Sequence, residues 1–204
     1  MKRASIACIL TTVTSAAAAQ SLPVTDDAVF TFNGQEITIS RSSVLPDTSF
    51  DVVSRALSDC LQPCLSPMTA ARNVATVGEL DVIEFMSGPL ENGDGLLVDA
   101  RLPEDRSAGY IPASVNIPSA TVAETNPFRD EILMALGAEQ YQGIFNFEGA
   151  MDLVVYDDGP ATQDAPVFIQ DMLAAGYPAN KIHYYRGGMQ VWTTLGLTTT
   201  RAAQ

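Results

Sequence analysis

Basic residues are scarce in this chain: 11 Lys and Arg stand against 24 Asp and Glu, a net charge of −13. Affinity for nucleic acid depends on neutralising phosphates with Lys and Arg. No basic stripe occurs anywhere, so the composition argues against a nucleic-acid binder. The acidity favours solubility and says little about activity. Histidine is scarcer still: His183 is the only one, and its mid-strand position reads as packing. A zinc site needs about four ligands, which one His and three Cys without a C-x-x-C pattern do not supply. No apolar run approaches the ~20 residues that span a bilayer. Disorder is also disfavoured, because hydrophobic residues make up 47% and charged ones 17%. A chain of 204 residues suits one domain, or one domain with a modest extension. At that size about 70% of the unfolded surface is buried without disulfide staples.

The N-terminus reads as an export signal. Met1-Lys2-Arg3 is a basic start, Ala4 to Thr14 a mildly apolar stretch, and Ala17-Ala18-Ala19 before Gln20 a small-residue cleavage site. The expectation is a signal peptide over 1–19, a mature chain from about Gln20 and a periplasmic product that is not membrane-integrated. The alternative is an anchor helix that is never cut. Ser5 and the short lead before Cys8 do not fit a lipidated cysteine. Cleavage leaves Cys60 and Cys64 in an oxidising compartment. A local structural disulfide across Leu61-Gln62-Pro63 is the first reading, and so short a loop gives it little entropic effect. A redox-active pair, two reduced thiols or half a metal site stay open.

Residues 20–75 and 76–204 differ in character. In the first part, Val29 to Phe32 and Gln35 to Ile39 alternate on either side of Asn33-Gly34, a strong hairpin signal. A helix is expected over 49–61 and a connector over 66–75. From Thr76, apolar strands alternate with helices. Thr76-Val77-Gly78-Glu79 has the form of a capping box, opening a helix that Gly88-Pro89 should stop. Strands are expected at 95–99, 115–117, 153–156 and 181–185. Helices are expected at 127–136, from Pro166 to Gly176, and at 188–195. This order predicts an α/β domain with an open, largely parallel sheet and helices on both faces, carrying a small hairpin and helix extension.

Ligands of such sheets sit beyond the carboxyl ends of the strands. Three places qualify: Asp99-Ala100-Arg101, the loop after Tyr156, and Arg186-Gly187-Gly188. The second runs Asp157-Asp158-Gly159-Pro160-Ala161-Thr162-Gln163-Asp164 into a helix. Free amides at a helix N-terminus attract an anion. A cysteine there would become a thiolate nucleophile.

Leu96 to Arg101, an apolar strand ending in Asp-x-Arg, is followed by Gly109-Tyr110-Ile111-Pro112-Ala113-Ser114-Val115-Asn116-Ile117-Pro118. Val154-Val155-Tyr156, then Gly187-Gly188 and Trp192, complete an ordered set. Together they resemble the rhodanese-like domain over about residues 76–199. The resemblance implies a sulfurtransferase fold. In that family a loop cysteine takes up sulfane sulfur as a persulfide and passes it to a thiophilic acceptor. By the same resemblance the cysteine should directly follow Tyr156, where this chain has Asp157, and the loop should carry an Arg, which 157–165 lacks. Tyr110 stands where the family has His.

A carboxylate cannot carry a persulfide, and three loop aspartates repel an anionic donor. The expectation is therefore a domain without sulfurtransferase activity, with no cofactor and no metal, acting as a binding or scaffolding module for an unknown protein or small-molecule ligand. Asp157 would replace the thiolate as the anion that settles the loop. One alternative is a sulfur-transfer or thiol-redox enzyme using Cys60 and Cys64. Another is a cation site at Asp157, Asp158 and Asp164, although the spacing fits no standard calcium loop. Asp99 and Arg101 read as loop ties on the pocket rim, and Arg186 as one partner of a loop salt bridge.

Overall fold

The computed structural model describes residues 27–42 and 65–201. The signal segment, the helix expected over 49–61, and Cys60 and Cys64 lie outside the described residues.

Strands β1 (Ala28–Phe32) and β2 (Gln35–Ile39) form the antiparallel hairpin that the Asn-Gly pair predicts. Asn33 and Gly34 both take positive φ, 51° and 76°, the backbone that a two-residue turn between twisted strands requires. An isolated hairpin is marginal in water. This one is held because Phe30 and Ile39 are buried in the main body, each contributing about 1.5–3 kcal/mol. Ser42 N–H also donates to the Gly196 carbonyl (2.7 Å).

The main sheet has five parallel strands: β3 (Ala75–Thr76), β4 (Gly95–Asp99), β5 (Val115–Asn116), β8 (Asp152–Tyr156) and β9 (Ile182–Tyr185). Their order is β3-β9-β8-β4-β5. Because strand side chains alternate, neighbours in the apolar runs serve opposite faces. Val98, Val155 and Tyr184 pack with Phe168, Ile169 and Met172 of α4 (Asp164–Ala174) and Leu133 of α3 (Arg129–Ala135). Leu97, Val154, Tyr156 and Tyr185 pack with Val82 and Phe85 of α1 (Glu79–Phe85), Trp192 of α5 (Gly188–Thr194) and the hairpin. The α/β architecture with helices on both faces is as the sequence predicts. Among the described residues no helix is long and apolar enough to cross a membrane.

Several boundaries differ from expectation. Ala75 and Thr76, read as connector and cap, form an edge strand against His183 and Tyr184. Because Thr76 is used in the sheet, its hydroxyl donates to the Met68 carbonyl and α1 starts two residues later. There Asp81, not Glu79, accepts the Gly78 N–H (2.8 Å). The helix is not stopped at Gly88-Pro89 but widens into a π turn over Met86–Leu90 with Pro89 inside. The expanded turn accommodates a residue that has no N–H and whose ring clashes in a regular helix. Helix α3 begins two residues after Pro127, and α4 begins at Asp164, two residues before Pro166. A short helix α2 (Pro103–Ser107) and a second hairpin, β6 (Glu139–Tyr141) with β7 (Ile144–Asn146), have no counterpart in the sequence reading. The strands of this hairpin are three residues long and face mostly solvent, so no alternation marks them.

Candidate functional site

Asp99, Tyr156 and Tyr185 lie side by side in register at the carboxyl ends of β4, β8 and β9. The three loops singled out in the sequence therefore leave the sheet together. Asp157 is the first residue beyond β8 and is fully buried. Its Oδ1 accepts the Gly159 N–H and its Oδ2 the Ala165 N–H, both at 2.9 Å. The second donor belongs to the first turn of α4, so the carboxylate sits in the helix's N-terminal anion position. Burial pushes the Asp157 carboxyl up to about 7, against the pull of the Ala165, Thr162 and Gly159 hydrogen bonds, which favour the charged form. Thr162 closes the turn from outside by donating its hydroxyl to the Gly159 carbonyl (2.9 Å).

Asp158 points the other way, to Arg101. The Arg101 guanidinium is 1% exposed and grips Asp99 with two bonds, Nε to Oδ1 (2.9 Å) and Nη2 to Oδ2 (2.8 Å). Its Nη1 reaches Asp158 Oδ1 at 2.8 Å, and Nη2 also donates to the Gly109 carbonyl (2.8 Å). Burial alone would pull the Arg101 pKa down. The hydrogen bond and charge of Asp99, with Tyr156 and Asp158 behind them, outweigh it and hold the pKa above its ordinary value. Tyr156 donates its hydroxyl to Asp99 Oδ2 (3.1 Å) and lies 2.9 Å from Ser114 Oγ. Arg106 Nη1 donates to both Asp99 Oδ2 (3.0 Å) and Ser114 Oγ (2.8 Å), while its guanidinium lies over the Tyr110 ring. Asp99 and Arg101 thus act as loop ties, and the ties extend to Arg106, Ser114 and Tyr156.

Asp164 accepts a hydrogen bond from the Ser119 hydroxyl (3.2 Å), and burial raises its pKa. The three loop aspartates therefore face three different partners. Among the described residues no group of three or more His, Cys, Asp or Glu is arranged to hold a metal ion.

Arg186 donates from Nε (3.1 Å) and Nη2 (3.0 Å) to the backbone carbonyl of Ser66, a partner other than the loop carboxylate expected for it. Ser66 in turn touches the loop three times. Its N–H donates to the Pro160 carbonyl (2.6 Å), its hydroxyl donates to the Thr162 carbonyl (2.5 Å), and its Oγ accepts from Gln163 Nε2 (2.7 Å). Tyr184 is buried beside this group, its phenol pushed up to about 12 by burial and the charge of Asp157, with Arg186 opposing. Sequence reasoning missed Ser66 and Arg106 and gave Ser114 no role beyond its motif. Ser66, in the segment read as a connector, carries no local signal of a long-range partner.

The chain belongs to the rhodanese-like domain family, whose model matches residues 84–195. Among solved structures, it is similar to the BH2092 protein of Bacillus halodurans, at 17% identity over 62% of this chain and 77% of that one, with a TM-score of 0.46. It is similar to a rhodanese-related protein of Thermoplasma volcanium, at 17% identity over 62% and 97%, TM-score 0.42. A human single-domain sulfurtransferase, TSTD1, is 21% identical over 59% and 96%, TM-score 0.41. No curated protein matches the chain in sequence.

Proposed function

We propose that this protein is an exported rhodanese-like domain that does not transfer sulfur and acts as a binding or scaffolding module. The carrying observation is Asp157. It stands directly after Tyr156, the position where the family pattern puts its nucleophilic cysteine, and its carboxylate accepts the amides of Gly159 and Ala165. A persulfide needs a thiolate that attacks sulfur, and a carboxylate offers none. Arg101, the buried cation among the described residues, is held by Asp99 and Asp158, and residues 157–165 contribute no Lys or Arg of their own. An anionic sulfur donor would meet the loop carboxylates, while among the described residues Arg101 is taken by Asp99 and Asp158 and Arg186 by the Ser66 carbonyl. The purified protein is expected to release no thiocyanate from thiosulfate and cyanide above a no-enzyme control. Turnover that survives replacement of both Cys60 and Cys64 would overturn this reading. Export rests on the basic start and the Ala17-Ala18-Ala19 site. Mass spectrometry of periplasmic protein should find an N-terminus near Gln20.

A second reading places thiol chemistry on Cys60 and Cys64. One observation favours it: Cys64 precedes Ser66 by two residues in sequence, and Ser66 is bonded to the loop. Thiol titration separates the readings. Two sulfurs that react only after reduction and unfolding indicate a structural bridge. Turnover abolished by Cys64→Ser would establish the enzyme.

A further inference from the structure

We propose that residues 65–67 form a strap seated in cis across the mouth of the 157–165 loop, with Ser66 as its plug, so that a ligand entering this loop must first displace Ser66. The burial pattern here is inverted. Leu65 and Met68 are 69% and 67% exposed, while Ser66 between them is 2% exposed. Apolar burial normally sets which residue of a segment turns inward. Here a serine is inside and its apolar neighbours are out, so hydrogen bonding has decided the placement.

All three polar groups of Ser66 are used. The N–H meets Pro160, the hydroxyl meets Thr162 and Gln163, and the carbonyl takes both Arg186 donors. The contact reaches the centre of the site through a short chain. Ser66 holds Thr162, the Thr162 hydroxyl holds the Gly159 carbonyl, and the Gly159 N–H holds Asp157.

Among the described residues the strap is also separable from the core. Its apolar anchors come later, at the buried Ala70 and Val74 and the edge strand β3. Lifting residues 65–67 exchanges hydrogen bonds for water, each a small net change, and leaves the anchors in place. Segments held this way open below the global unfolding limit. The proposal does not depend on whether the loop performs chemistry. An active enzyme would overturn the proposed function and leave the strap standing.

Native-state amide hydrogen exchange on the full wild-type chain tests it. The Ser66 and Thr162 amides should exchange at matching rates through one opening that responds little to denaturant. That opening should be faster than exchange at Val154 and Val155 in β8. In Ser66→Gly, and separately in Arg186→Gln, exchange at Gly159 and Thr162 should rise at least tenfold with Val154 and Val155 unchanged. A Ser66 amide that exchanges tenfold faster than the loop, or only with global unfolding, would overturn the strap in the wild type alone. Loop protection unaltered in either folded variant would do the same.

Discussion

The Arg101 guanidinium lies 2.8 Å from Asp158, 57 residues away in sequence, while the same group holds both oxygens of Asp99. One buried cation therefore joins the ends of β4 and β8. Replacing Arg101 with Met removes the two-bond partner of buried Asp99, which then keeps Arg106 as its cationic partner, and takes the guanidinium away from Asp158. Removing one member of a buried ion pair costs about 3–5 kcal/mol, and a loss of that size is expected in urea unfolding. Arg101→Lys should recover only a minor part, because an ammonium cannot make the two-bond grip on Asp99 while also reaching Asp158. Full stability in Arg101→Lys would show that charge alone matters and the fork geometry does not.

Asp157 should make the protein less stable as the solution is made less acidic. Its pKa rises on folding from the ordinary 3.8 to about 7. Between these values the folded state binds more protons than the unfolded one, so the slope of stability with pH is negative. The contribution is full below about pH 4 and lost by about pH 7. At 1.36 kcal/mol per pKa unit this amounts to roughly 4 kcal/mol at most. Asp164, raised in the same direction, adds to the slope. Urea midpoints measured from pH 4.5 to 8 should fall more steeply for wild type than for Asp157→Asn. Parallel curves would mean that Asp157 is ionised throughout.

Asp157→Cys places a thiol where the loop and helix amides stabilise an anion. The variant is expected to react with thiol reagents yet to show little thiosulfate:cyanide turnover. Asp158 and Asp164 remain, the loop still lacks an arginine, and Arg101 is still held by carboxylates. Robust turnover from this single change would show that the loop's charge is a minor barrier.

Gly188 has φ +55° at the start of α5, and an added Cβ there would run into the Asp157 carbonyl and lie 2.7 Å from the Gly159 nitrogen. Gly188→Ala should therefore cost about 2–4 kcal/mol, through strain at a left-handed residue together with overpacking. Gly143 also has positive φ (+80°) but nothing within 4 Å of a Cβ. Gly143→Ala should cost only about 1–2 kcal/mol. Equal losses in thermal unfolding would remove the steric part of this account.

The strand runs Leu96-Leu97-Val98 and Leu153-Val154-Val155 each suffice to announce a sheet strand covered on both faces, because each lacks a polar side. Asn33-Gly34 announces its hairpin because few other dipeptides take positive φ twice at low cost. Asp157 at the end of such a strand marks the loop, since chain order alone puts it there. These are local properties, and the sequence determines them by itself. Where polar partners come from distant segments, local pattern is silent. Thr76 and Glu79 have the form of a cap, yet Thr76 is drawn into β3 and Glu79 accepts the Tyr185 hydroxyl (3.0 Å). Arg186 beside an acidic loop suggests a salt bridge, yet it meets the Ser66 carbonyl, 120 residues away. Only the folded chain decides such pairings, because a hydrogen-bonding group takes the partner that packing brings within about 3 Å.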